Sequence, residues 1–275
     1  MEWTLPPWGG EARIMRAEQA PRYLRREWIE SGYRVGGGML AAARSLFTFH
    51  NETINAWTMV FMSSTSTLLL VYVKLIFEYV PLPFALLWMS VVTHMPFSVA
   101  LHLFIGISED SRKFWRTCDI FFMQFNSLLL SAAFAYYVMD GLCIILYAAC
   151  AFVVFLRTVY VTMIRTRIWR LPKPELAREM SYLVFTYCSP LVVQGVKDLV
   201  LLWNVSLGVL PHVIGVIFCM EIAYLCYSKH LPEKWSPGRF DLVGNSHQIL
   251  HVMGLVAHVL QWAFLLELHA RTYPF

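Results

Sequence analysis

The stretch from Leu82 to Ile105 reads LPFALLWMSVVTHMPFSVALHLFI and contains no Asp, Glu, Lys or Arg. About 20 consecutive apolar residues suffice for an α-helix to cross the hydrocarbon core of a bilayer, so this stretch predicts a membrane-spanning helix over 82–105. Ser98 and His102 are four residues apart near its end, and such a spacing places two side chains on one helix face, one turn apart. The stretch therefore combines a membrane span with two polar side chains that can meet.

Six further segments have a similar length and apolar character. They predict an all-α integral membrane protein, a bundle of seven transmembrane helices, over residues 54–74, 82–105, 118–139, 141–163, 178–197, 208–228 and 242–266. We divide the chain into an N-terminal arm, residues 1–53, and a seven-helix transmembrane domain, residues 54–275. Within the arm, residues 12–28 are rich in Arg and Glu and predict either a short amphipathic helix on the membrane surface or a solvated helical arm.

The composition agrees with a membrane protein and excludes several other classes. Hydrophobic residues make up 58% of the chain and charged residues 15%, whereas a soluble domain carries about 25% charged and about 45–50% apolar residues. The six cysteines lie in or beside apolar segments and form no C-x-x-C pair, which argues against a disulfide framework and against a thiolate metal site. No nucleotide-binding or nucleic-acid-binding motif is present in the sequence, so we expect no nucleic-acid partner.

The basic residues predict the orientation of the chain in the membrane. Eighteen of the 22 Lys and Arg residues fall in the arm and in the 2–3, 4–5 and 6–7 links, all on one side of the predicted bundle. Lys74, Lys197 and Arg271 lie on the other side, and Arg157 lies near the inner end of the fourth span. By the positive-inside rule, we expect the N-terminus in the cytoplasm and the C-terminus outside. We expect the protein to lie in the plasma membrane.

His247 and His251 repeat the four-residue spacing near the end of the chain. Two imidazoles at this spacing can bind one zinc ion, and a third His and a water complete a tetrahedral shell. In the predicted topology, His102 and Asp119 reach the same depth as these two residues, and a carboxylate there can orient the water or a ligating imidazole. Alternatively, each His is a hydrogen-bonded packing residue, and His94 either extends the site or packs in the core.

Several motifs make the chain resemble the progestin and adipoQ receptor family of seven-helix membrane proteins, which is distantly related to hemolysin III-type proteins and alkaline ceramidases. The similarity extends from about residue 30 to about residue 270. The motifs are Gly32-Tyr33-Arg34, the HNETINAWT box at 50–58, Ser98 and His102 followed by Asp119, PGRFD at 237–241 and SHQILHV at 246–252. The resemblance implies that His102, His247 and His251 are zinc ligands, that Asp119 contacts the metal through a bound water, and that Ser98 lines the site.

Two positions depart from the family pattern. Met59 follows Thr58 where the family box usually has His, and Ile120-Phe121-Phe122 follow Asp119 where a D-Y-x-G pattern is common. Neither change removes a ligand, but both can alter the packing around the site. The PGRFD motif and the downstream His258-Val259-Leu260-Gln261 look closer to the membrane progestin receptor branch than to the adiponectin receptor branch.

The resemblance implies a receptor for a lipophilic, steroid-like signal or for a protein signal, which acts on a cytoplasmic signalling partner and uses zinc as a structural ion. An alternative is a zinc-dependent intramembrane hydrolase of a lipid amide such as ceramide. In that case Asp119 is the base or water orienter, and Ser98 helps to stabilise an oxyanion. Both interpretations hold together if hydrolysis is the signalling output.

Overall fold

A computed structural model describes residues 12–168, 171–201 and 208–273. It contains seven helices that are long and apolar enough to cross a membrane, which confirms the seven predicted spans and the all-α class. A short helix, α1 (Met39–Arg44), precedes them. The seven are α2 (Thr53–Phe77), α3 (Leu82–Phe104), α4 (Glu109–Val138), α5 (Gly141–Val159, continued by a π-helix over Tyr160–Arg165), α6 (Lys173–Leu201), α7 (Leu210–Lys229) and α8 (Ser246–Thr272).

The helices differ from the predicted spans mainly at their polar ends. α4 begins at Glu109 rather than at 118, because the Ser108 hydroxyl accepts a hydrogen bond from the Ser111 amide at 3.0 Å and acidic residues occupy the first turn. Hydropathy identifies only the apolar part of a helix and misses such polar turns. At the other extreme, α8 begins at Ser246 rather than at 242, since Asn245 caps it.

Six of the spanning helices form a closed ring. α2, α3, α4, α6, α7 and α8 each contact the next helix in this order, and α8 contacts α2. α5 lies outside the ring and packs against α4 and α6. A ring of this kind brings α3 and α8, which carry the histidines singled out by the sequence, close to α2 and α4.

The largest hydrophobic cluster lies in the half of the ring away from those histidines. Phe84, near the start of α3, stacks on Trp262 in the second half of α8, with ring centroids 5.7 Å apart, and both side chains are fully buried. Phe134 of α4 meets Phe264 of α8 edge to face at 5.9 Å. Because large buried aromatic side chains dominate packing energies, this cluster fixes α3 and α4 against α8.

The N-terminal arm differs from its predicted form, since no helix covers residues 12–28. Instead β1 (Arg13–Met15) pairs antiparallel with β2 (Tyr33–Val35), and a 3₁₀ turn over Arg22–Leu24 lies between them. Pro21 explains the difference, because proline lacks the amide that a helix interior requires and disfavours helical conformation in the residue before it. The apolar side chains of the arm form a small cluster of their own, made of Ala20, Leu24, Ile29 and Tyr33.

Candidate metal centre

Three imidazole rings meet where the end of α3 lies beside the start of α8. The ring centroids are 5.3 Å apart for His102 and His247, 5.2 Å for His102 and His251, and 4.9 Å for His247 and His251. One nitrogen from each ring lies within 4.8 Å of the other two. The Asn245 side chain accepts hydrogen bonds from the His247 and Gln248 amides, each at 3.2 Å, so the cap of α8 fixes the turn that carries His247.

The hydrogen bonding of the triad is incomplete. His247 Nε2 and His251 Nε2 face each other at 3.3 Å, and a single proton can lie between them. His251 Nδ1 is buried and has no hydrogen-bond partner within the described part of the chain. Since buried polar atoms are normally paired, the arrangement fits a metal ion, which accepts lone pairs from converging imidazoles.

Glu52, directly before α2, completes the surroundings of His102. Its carboxylate oxygen Oε2 lies 2.8 Å from His102 Nδ1 and accepts a second hydrogen bond from Asn55 Nδ2, also at 2.8 Å. Burial alone would raise the pKa of Glu52, but the Arg26 guanidinium and the hydrogen bonds from His102 and Asn55 outweigh burial and hold that pKa well below its usual range.

An ionised carboxylate only accepts hydrogen bonds, so His102 Nδ1 is the donor to Glu52. In the neutral imidazole this leaves the Nε2 lone pair of His102 free for a metal. A carboxylate behind a ligating histidine is a recurrent way to set the tautomer and the ring orientation. Glu52 lies in the HNETINAWT box, which was the only signal in the sequence that could have placed it at the site.

The N-terminal arm covers this end of the ring. Its strand β2 approaches Gly106, the second residue after α3, so closely that a Cβ atom on this glycine would lie 2.2 Å from the Arg34 carbonyl oxygen. Gly36 donates its amide to the Gly106 carbonyl at 2.9 Å, and Asp241 accepts hydrogen bonds from the Glu30 amide and the Ser31 hydroxyl. The arm thus brings Arg26 to Glu52, the carboxylate that contacts His102.

Asp119 lies well inside α4 and interacts electrostatically with His102 and His251. Its hydrogen bond, however, is to a fourth histidine, because Asp119 Oδ1 lies 2.9 Å from His94 Nε2. His94 is thus paired with the carboxylate that the sequence singled out, and it is not one of the three converging histidines. Ser98 is 1% exposed and lies on α3 between His94 and His102, one turn from each.

Seven candidate membrane spans and a histidine triad at one end define a multi-pass membrane protein with a candidate metal centre. The model of the haemolysin-III related family matches residues 47–262, and the chain belongs to this family. Membership confirms the resemblance to the progestin and adipoQ receptors.

Relatives align over most of the chain. Membrane progestin receptor gamma of Mus musculus is 27% identical over 272 residues, which cover 93% of this chain and 81% of that protein. Membrane progestin receptor beta of Sus scrofa is 27% identical over 249 residues, covering 84% and 69% respectively. Heptahelical transmembrane protein 3 of Arabidopsis thaliana is 26% identical over 304 residues, covering 90% and 85%.

Proposed function

We propose that the protein is a zinc-containing receptor of the progestin and adipoQ type in the plasma membrane, which detects a lipophilic, steroid-like signal or a protein signal and acts on a cytoplasmic partner. The observation that carries the proposal is the convergence of His102 from α3 with His247 and His251 from α8. An ion held there joins helices from distant parts of the chain. The names of relatives called membrane progestin receptors support a lipophilic ligand.

Zinc is the ion that we assign to the triad. Calcium and magnesium prefer oxygen ligands, whereas neutral imidazole nitrogens suit zinc and leave a fourth position of its tetrahedral shell open. Glu52 holds one of the imidazoles by a hydrogen bond, as expected around a ligating histidine.

We place the N-terminus, the arm and the triad on the cytoplasmic side of the membrane. The concentration of basic residues in the arm and in three links supports this orientation. A tag after Phe275 is expected to bind antibody on intact cells, and a tag before Met1 only after permeabilisation. The reverse pattern would move the triad to the outer leaflet and contradict the cytoplasmic assignment.

A second candidate function is a zinc-dependent intramembrane hydrolase of a lipid amide, and the pair formed by His94 and Asp119 beside the triad favours it. Zinc held by three histidines lowers the pKa of its water to about 7. His94 orients the Asp119 carboxylate, which can accept a proton. The buried Ser98 hydroxyl can donate a hydrogen bond to the carbonyl oxygen of an amide.

One experiment separates the two functions. Purified full-length protein is reconstituted in vesicles and assayed for its zinc content, for binding of tritiated progesterone and for turnover of ceramide. In the receptor, His102→Ala is expected to lower ligand binding and thermal stability together, since a bound metal stabilises the folded state, while Asp119→Asn changes neither. In the hydrolase, Asp119→Asn keeps its zinc and loses turnover by ~10²-fold.

The matched control is Asp110→Asn, the same change on the same helix at a side chain that is 80% exposed. A parent protein that binds progesterone without turning over ceramide supports the receptor alone. Turnover that is lost with Asp119→Asn and kept with Asp110→Asn supports the hydrolase. If the parent protein contains zinc but neither binds progesterone nor hydrolyses ceramide, it is neither a progesterone receptor nor a ceramide hydrolase.

A further inference from the structure

A groove lies between the end of α5 and the start of α6, outside the ring that holds the histidines. Its volume is about 480 Å³, and three arginines line it, Arg157, Arg165 and Arg178. We call it the α5–α6 groove. The hydrophobic cluster formed by Ile120, Ile168, Leu171 and Leu176 supports it from within, and Leu171 also lines it.

The backbone of α5 changes its helix type at the wall of this groove. α5 changes from an α-helix to a π-helix over Tyr160–Arg165, and the Thr166 amide bonds the Val161 carbonyl five residues earlier, at 3.1 Å. The Thr166 hydroxyl donates to the same carbonyl at 2.7 Å. A π-turn is wider than an α-turn, is rare, and occurs frequently at functional sites. Here it carries Arg165 to the wall of the groove.

The three arginines differ in their partners. Arg157 is held in place, because it pairs with the buried Glu179 and its guanidinium lies 4.6 Å from the centroid of the Tyr182 ring. Arg165 and Arg178 are exposed, and neither side chain makes an ion pair with any described residue. Glu175, the other acidic residue at the groove, is exposed. With Arg157 neutralised by Glu179, two guanidinium groups face a single further carboxylate.

The position of the groove indicates which anion can meet these groups. α5 packs only on α4 and α6 among its main neighbours, and its surface carries exposed apolar side chains that suit contact with lipid tails, namely Phe152, Val153, Leu156, Tyr160 and Ile164. The groove begins where this apolar surface ends and the basic 4–5 link begins. Lipid phosphate groups are expected where the apolar surface of a spanning helix ends, and basic pockets between transmembrane helices bind anionic headgroups.

We propose that the α5–α6 groove binds the phosphate of an anionic lipid headgroup. Arg165 and Arg178 bind the phosphate oxygens, because the guanidinium fork matches phosphate geometry. Arg157, held by Glu179 and Tyr182, is the third arginine that lines the groove. The acyl chains of the same lipid lie along the apolar face of α5.

Native mass spectrometry of the full-length protein in detergent tests this proposal. Dioleoyl phosphatidic acid or dioleoyl phosphatidylcholine is added, and retained lipid is counted per chain. The parent is expected to retain phosphatidic acid in preference to phosphatidylcholine. Arg165→Gln with Arg178→Gln is expected to weaken phosphatidic acid binding by about tenfold or more. The control is Arg13→Gln with Arg16→Gln, an equal charge change at exposed residues of the arm, which leaves binding unchanged.

A second variant and a competitor complete the experiment. Arg165→Lys with Arg178→Lys preserves the charge at two exposed positions, and an intermediate affinity is expected because the bidentate fork is lost. Inorganic phosphate is added as a competitor, and failure to displace the lipid supports a lipid source, whereas equal binding of free phosphate overturns it. Phosphatidic acid retained equally by the parent, the Gln pair and the Lys pair would overturn the groove as the binding site.

Discussion

Both ends of the helix ring hold buried ionisable groups, but the two ends differ in how completely these groups are hydrogen-bonded. At the histidine end, His247 and His251 face each other through the same kind of ring nitrogen, and one nitrogen of His251 has no partner among the described residues. At the other end, Asp198 is 3% exposed and fully paired. It accepts from Arg271 Nη1 at 2.8 Å, from Gln194 Nε2 at 2.8 Å and from the Val209 amide at 2.9 Å.

Further ion pairs surround Asp198 at this end of the ring. Arg271 also pairs with Glu267, which lies 3.4 Å from His212 Nε2. Gly208 has φ +53°, and a Cβ there would lie 2.0 Å from Asp198 Oδ2, so the chain passes directly over the carboxylate. Asp198 has several hydrogen bonds that link α6 to α8 and to the start of α7, whereas the histidine triad keeps one buried nitrogen, His251 Nδ1, without a partner among the described residues. Such an unpaired buried group is unusual, and it is consistent with a binding site at the histidine end.

The largest difference between the two ends is expected in metal content. His247→Ala removes one of three nitrogen ligands and is expected to reduce bound zinc from about one per chain to background, because two histidines alone rarely complete a structural or catalytic zinc shell. The measurement is elemental analysis of the purified protein. His212→Ala is the matched control at the opposite end and is expected to keep its metal. Full zinc in His247→Ala would show that the triad is not the metal centre.

A smaller effect is expected at Glu52, which orients His102 without being one of the triad. Glu52→Gln keeps the size of the side chain but removes the negative charge that interacts with Arg26 and His102. Changes of this kind behind a ligand weaken metal affinity by about 10–100-fold, which competition with a chelator of known affinity measures. Glu267→Gln makes the same change at the opposite end and is expected to have no effect. Equal affinities in the two variants would remove Glu52 from the site.

The sequence predicted the spans because an apolar run of the length of a bilayer is a strong local signal. It also brought His102, Asp119, His247 and His251 to one depth, since topology alone fixes the level of a residue in the membrane. It could not predict which residue bonds which. The pairs Glu52 with His102 and His94 with Asp119 arise from helix rotation and from the path of the arm, and neither leaves a periodic pattern.

In the arm, the sequence pattern predicted a structure that does not form. The Arg and Glu pattern of residues 12–28 predicted a helix, but Pro21 and the pairing of β1 with β2 prevail over helix propensity. Charged residues that seemed to form a solvated helix face have specific partners. Arg25 Nε donates to the Ala20 carbonyl at 2.8 Å, and Arg26 pairs with Glu52. Such contacts depend on where the arm docks, which its own sequence does not encode.

The smallest effect is expected at Asp198, and it concerns stability rather than metal. Asp198→Asn removes the charge opposite Arg271 and turns one acceptor oxygen into a donor that faces other donors. Because Arg271 is about one-third exposed, water compensates part of the loss, and we expect the free energy of unfolding to fall by about 1–2 kcal/mol. Thermal unfolding of the solubilised protein measures this as a decrease of a few degrees, with zinc content unchanged.

Glu267→Gln serves as the control, since that carboxylate is itself about one-third exposed and pairs of exposed charges contribute about 0–1 kcal/mol. If Asp198→Asn lowers stability and Glu267→Gln does not, the buried carboxylate is the tie at this end. A loss of zinc in Asp198→Asn would contradict the separation of the two ends, because it would mean that α8, which carries Arg271 near one end and His247 at the other, transmits the change along its length. Unchanged stability and unchanged zinc would show instead that Gln194 and the Val209 amide hold an uncharged side chain equally well.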